Sequence, residues 1–205
     1  MRVKEVDYGT FIRMTTELNV DEVENEYIEK ILFNTKRLSE LVSNILLLSK
    51  VDNKAIQAKK TTYRLDEQIR QSIVLLEPKW SAKEIDFDVD VDEIEYTGDE
   101  SLMFHVWNNL LDNAIKFSPE NGLIRMKLER ADNQTTFTIE DEGCGISDEE
   151  KKHIFNKFYQ SDSSHKSEGN GLGLALVKNI LTLCSGEISV TDSKNGGAKF
   201  TVVLY

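Results

Sequence analysis

SEGNGLGLALVKNI, residues 167–180, sets three glycines at alternate positions, Gly169, Gly171 and Gly173, directly ahead of an apolar helical pattern. Lacking a Cβ, glycine takes positive φ and lets backbone approach a ligand closely, so the run permits a tight, phosphate-facing loop. A dinucleotide fingerprint needs G-x-G-x-x-G straight after a buried strand. Here the spacing is G-x-G-x-G, and the preceding residues, SDSSHKSE, are polar. A Walker loop fails as well, because no Gly-Lys-Ser/Thr closes the run and Leu174 stands where a phosphate-binding lysine is wanted. What remains is a polar segment over 160–170 ending at a glycine-rich helix start, whose free amides and positive dipole end can hold phosphate. A hinge without a ligand satisfies the same residues.

The chain of 205 residues suits one domain with an extension, or two small domains. With 40% hydrophobic residues, 30% charged residues and two prolines, its composition is that of a soluble globular protein. No apolar run approaches the ~20 residues that span a bilayer, and no signal peptide follows Met1. A cytoplasmic location is expected, with any membrane anchor in a longer parent. The net charge of -11 argues against a nucleic-acid surface, yet leaves room for ATP held locally by a metal and a few donors. Cys144 and Cys184 are isolated, without metal-type spacing, and are read as reduced thiols.

Upstream, the stretch 21–52 carries Tyr27, Ile31, Asn34, Leu38, Leu41, Ile45 and Leu48 at alternating steps of four and three, a heptad seam. Ile28, Leu32, Val42 and Leu46 widen the stripe, which predicts a helix of a dimeric bundle, with Asn34 available to set register. NKAIQAKK, residues 53–60, loses the pattern and reads as a linker, so the expected division is 1–52, 53–60 and 61–205. Beyond it the spacing predicts a strand near 61–65, a helix near 66–76, a strand over 85–92, a helix near 100–117, strands LIRMKLER and TTFTIEDE, and a closing hairpin turned at 194–197. That order predicts an α+β fold, a mixed sheet with helices on one face.

Within this second part, HVWNNLLDNAIKFS, residues 105–118, places Asn109, Asn113 and Lys116 on one helix face opposite an apolar one. A carboxamide oxygen ligates Mg²⁺ without adding charge, and lysine meets a phosphate. A plain solvated face would look the same. DEGCGIS, residues 141–147, ends a strand with an acid and a G-x-G turn, where Asp141 can accept from an exocyclic amine while Gly143 and Gly145 admit a flat ring. Phe155 and Phe158 in IFNKFYQSD are expected in the core, anchoring the base of a mobile lid over 160–170.

Taken in order, Asn-rich helix, D-x-G-x-G, paired phenylalanines, polar lid and G-x-G-x-G resemble the N, G1, F and G2 boxes of sensor histidine kinases, within the ATPase superfamily shared with gyrase B, MutL and the ninety-kilodalton heat-shock chaperone. The resemblance covers roughly residues 20–205 and implies an α/β sandwich binding ATP and Mg²⁺. It puts adenine on Asp141 beside Gly143 and Gly145, the metal on Asn113, and phosphates on Asn109 and Lys116, the two residues expected to serve transfer itself. Further contacts are implied from the lid cations Lys157, His165 or Lys166 and from the glycine loop of Gly169, Gly171, Leu172, Gly173 and Leu174. The heptad helix then resembles the second helix of the dimerisation and phosphotransfer hairpin, and the implied partners are a second copy of the chain and a response-regulator receiver domain.

Two positions depart from the family pattern. Gln160 stands where the lid often has arginine, and no S-H-E-x-x-T-P acceptor segment occurs, since the three histidines are His105, His153 and His165. The acceptor is therefore expected outside these residues. An ATPase clamp would want a general base where Asn109 stands, and an amide is no base at neutral pH. A nucleotide-sensing dimer without catalysis is the remaining alternative.

Overall fold

The long heptad pattern forms one continuous helix, α1 (Glu22–Asp52). The computed structural model of the chain describes residues 22–53, 58–160 and 170–205, with 22–26 described by backbone alone. Tyr27, Ile31, Leu38 and Ile45 are exposed along the seam, joined by Phe33, Val42 and Leu46. The described residues divide into two compact units between Ser43 and Asn44, so the last turns of α1 belong to the second unit. There the helix buries apolar side chains, Leu48 and Val51 being each 5% exposed. The unit boundary thus falls inside the helix, ahead of the expected linker, of which 54–57 lies outside the described residues.

The second unit continues with β1 (Thr61–Arg64), α2 (Leu65–Leu75), α3 (Glu77–Ser81), β2 (Asp86–Val91), β3 (Glu95–Gly98), α4 (Glu100–Phe117), β4 (Leu123–Ala131), β5 (Gln134–Glu140), α5 (Asp148–Lys151), α6 (Gly173–Leu183), β6 (Gly186–Asp192) and β7 (Ala198–Leu204). Five strands form a mixed sheet in the order β2-β4-β5-β7-β6, parallel only between β2 and β4. Side chains alternate across a strand, and one face carries Ile124, Met126, Leu128, Phe137, Ile139, Phe200 and Val202, all buried. The other face is polar, with Asp88, Arg125, Lys127, Thr138, Glu140 and Lys199. Helix α4 lies between α2 and α6 and packs on β5, its Trp107 meeting Phe137 edge-on at 5.0 Å between ring centres. Two polar side chains buried there are paired: the Trp107 indole N–H donates to Gln68 Oε1 at 2.8 Å, and Gln68 Nε2 donates to the Glu100 carbonyl at 2.8 Å.

Local chemistry explains the bounds of α4. Asp99 caps its start, Oδ1 accepting from the Leu102 amide at 3.0 Å while Oδ2 accepts from the Lys59 amide at 2.9 Å. It stops at Ser118, extended ahead of Pro119. Three short elements were not expected: α3, with Pro78 in its first turn, the capping-box helix α5, and β3, which pairs with β1 in a separate two-stranded sheet. One expectation is overturned. Phe158 is 63% exposed at φ +63° and outside any helix, while Phe155 is half-buried with the Lys178 ammonium over its ring. Ile154 carries the core contact in that segment instead.

Candidate functional site

Helix α4 buries Val106, Leu110, Leu111, Ala114 and Ile115, which turns Asn109, Asn113 and Lys116 to the half-exposed side. Asn109 Nδ2 donates to the His105 carbonyl one turn earlier at 2.7 Å, fixing the amide so that Oδ1 points to the start of α6. A Cβ on Gly173 would lie 2.6 Å from that oxygen, so with glycine here the asparagine amide reaches the helix start without having to move aside. Asn113 makes no hydrogen bond to any described residue, leaving its carboxamide available. The Lys116 ammonium lies 4.8 Å from the centre of the Phe117 ring.

Asp141 follows the end of β5 and is 5% exposed. Its Oδ1 accepts from the amides of Gly143 at 2.9 Å and Ala198 at 3.1 Å, whereas Oδ2 makes no hydrogen bond among the described residues. Burial pushes this carboxyl above its usual range, against the lowering effect of the two amide donors. Gly143 is required by packing: a Cβ there would lie 2.4 Å from the Phe117 carbonyl oxygen at the end of α4. Gly145 is required by its φ of +72°.

Gly171, at φ +68°, packs on the Phe158–Tyr159 backbone and its carbonyl accepts from the Phe158 amide at 2.8 Å, so the paired-phenylalanine segment and the glycine run are tied directly. Leu172 buries its side chain and donates its amide to Asn170 Oδ1 at 3.2 Å, while Leu174 is half-buried in the first turn of α6. Lys157 pairs with Asp52 at the end of α1, and Asp52 also accepts from Asn179 Nδ2. Lys166, Gly169, His165 and most of the expected lid lie outside the described residues.

Asn109, Asn113, Lys116, Asp141 and Gly143 thus meet through the last turns of α4, and Gly173 through Asn109. A family model described as histidine kinase-, DNA gyrase B- and HSP90-like ATPase matches residues 98–205, the span that holds all of them. The chain belongs to this family. Within the histidine kinase-, gyrase B- and HSP90-like ATPases it stands with the sensor histidine kinases, which are ATP-dependent enzymes. It is 37% identical over 186 residues to the heme sensor protein HssS of Staphylococcus saprophyticus, covering 90% of this chain and 40% of that protein. A solved mycobacterial sensor histidine kinase, MprB, is 30% identical with a TM-score of 0.65, covering 71% of this chain and 97% of that one. The histidine kinase ThkA, solved with the response regulator TrrA, is 27% identical with a TM-score of 0.72, over 96% of this chain and 55% of that one. The chain spans about two fifths of the length of its curated HssS relatives, 40% and 42% for two of them.

Sequence reasoning missed the residues that hold this site from behind. Gly197 sits so close that a Cβ would lie 2.2 Å from the Asp141 carbonyl oxygen, and Ala198 donates to its carboxylate, yet KNGG had only a hairpin signature. Asp52 and Asn179 had no signal at all. The described residues include no helix long and apolar enough to cross a membrane.

Proposed function

We propose that this chain is the ATP-binding kinase part of a two-component sensor, passing the γ-phosphoryl of Mg·ATP to a histidine outside these residues for relay to a response-regulator aspartate. Asp141 Oδ2 accepts from the adenine amine, Asn109 and Lys116 contact phosphates, and the first amides of α6 face the same charge. Asn113 suits Mg²⁺: its unbonded carboxamide is a neutral hard donor, and Mg²⁺ takes few protein ligands when phosphates and water supply the rest. The described residues hold no cluster of three His, Cys, Asp or Glu side chains that would make an all-protein metal cage. In transfer, the acceptor imidazole nitrogen bonds to the γ-phosphorus as the β–γ bridging bond breaks and ADP leaves; the protein's part is positioning and charge stabilisation. Lys166 is proposed to contact the phosphates, and the α1 seam to pair two copies.

The observation that supports this reading is the closeness of Asn109 Oδ1 to Gly173 at the start of α6, so that the helix end proposed to face phosphate adjoins the stripe proposed to hold the metal. Its test is titration of a fluorescent ATP analogue with and without Mg²⁺. Binding that strengthens with Mg²⁺, and loses that dependence in Asn113→Ala, is expected. Binding indifferent to Mg²⁺, or metal dependence unchanged in Asn113→Ala, overturns the metal assignment. With γ-labelled ATP the chain alone should take up no acid-labile phosphate, and an added histidine-bearing helix should be labelled. Labelling of the chain alone, abolished by replacing one of His105, His153 or His165, would place the acceptor inside it.

A further inference from the structure

Lys83 stands in the turn after α3, far in sequence from every motif. Its ammonium donates to three backbone carbonyls at the end of α4: Ile115 at 2.9 Å, Lys116 at 2.8 Å and Ser118 at 2.9 Å. A lysine has three N–H donors, and all three are used. The backbone of Lys83 is held as well, its amide donating to the Trp80 carbonyl at 3.2 Å and its carbonyl accepting from the Asn121 amide at 2.8 Å.

A helix leaves its last four carbonyls without intrahelical donors and concentrates partial negative charge there. In α4 the Ala114 carbonyl is satisfied by the Ser118 amide at 3.0 Å, and the Phe117 carbonyl faces Gly143. Lys83 takes Ile115 and Lys116 and adds Ser118 just past the end. This one turn therefore carries Lys116, comes directly after Asn113, and backs the Asp141–Gly143 turn.

We propose that Lys83 is a positioning residue for nucleotide binding: its ammonium locks the last turn of α4, and through it the aim of Lys116. This rests on the nucleotide reading above. A lysine serving only general stability would not couple to Lys116.

The test is a double-mutant cycle on the full 205-residue chain, read as affinity for a fluorescent Mg·ATP analogue well below each melting temperature. Lys83→Met should weaken binding roughly five- to tenfold, and Lys83→Arg should restore part of the loss. Combined with Lys116→Ala it should weaken binding little beyond Lys116→Ala alone, while amide exchange over 115–118 quickens. Should Lys83→Met not fold, Lys83→Gln, with two donors, carries the same cycle. Wild-type affinity in the Lys83 variant, or a loss that adds in full to that of Lys116→Ala, overturns the proposal. A wild-type chain that binds no nucleotide overturns the underlying reading and this one with it; wild-type binding beside an unaffected Lys83 variant overturns this one alone.

Discussion

Asp141 divides its oxygens between the fold and the site, Oδ1 bound by two amides and Oδ2 left for a ligand. Because burial raises its pKa, the folded chain holds this proton more tightly than the unfolded one. The ionised carboxylate thus costs stability above the folded pKa, and the cost shrinks as pH falls from that value and is gone below the unfolded one, about 3.9. Asp141→Asn, which keeps an acceptor for the two amides, should melt no earlier than wild type near neutral pH. Its affinity for adenine nucleotides should fall about tenfold or more, since a charged acceptor is lost. Wild-type affinity should decline on acidification at a pH above about 3.9, the ordinary aspartate value. Calorimetric titration across that range checks both; undiminished adenine affinity in the variant would remove Asp141 from base recognition.

At the scale of elements, the end of α1 is fastened within the second unit by the buried Leu48 and Val51 and by the Asp52 carboxylate, which accepts from Lys157 and Asn179. Lys157 was expected to face phosphate, and its pairing with Asp52 gives that expectation a competitor. Both groups are partly exposed, so the pair is weak enough for a polyphosphate to displace. Asp52→Ala should therefore raise affinity for the ATP analogue by about threefold while leaving affinity for adenosine unchanged. Equal effects on both ligands would show that Lys157 serves only to fasten the helix.

For the whole molecule, the apolar seam of α1 is an uncovered apolar stripe: Tyr27, Ile31, Leu38 and Ile45 are exposed in the single chain. A stripe of this period is buried by a second helix of like pattern. Sedimentation should find a dimer that Leu38→Asp and Ile45→Asp each dissociate, with the melting of the second unit unchanged. A monomer indifferent to both substitutions would leave the seam without a role in association.

What the sequence by itself determined was the long periodic elements and the order of the motifs. The apolar period placed α4 at 100–117 as observed, alternation placed β2, β4, β5 and the closing hairpin within a residue or two, and the order of motifs named the family. Helix and strand periods are readable in a window because they repeat along the chain. The short elements α3, β3 and α5 repeat nothing and were missed, and Phe158 was misjudged because a helical spacing was read into a turn. Tertiary structure alone decided which groups meet. It set the Gly143 Cα against the Phe117 carbonyl, Gly173 against Asn109, the Lys83 ammonium on the end of α4, and Lys157 on Asp52, 105 residues away. Those pairings depend on how the sheet orders its strands and how deep each helix seats on it, and no stretch of neighbouring residues carries that information.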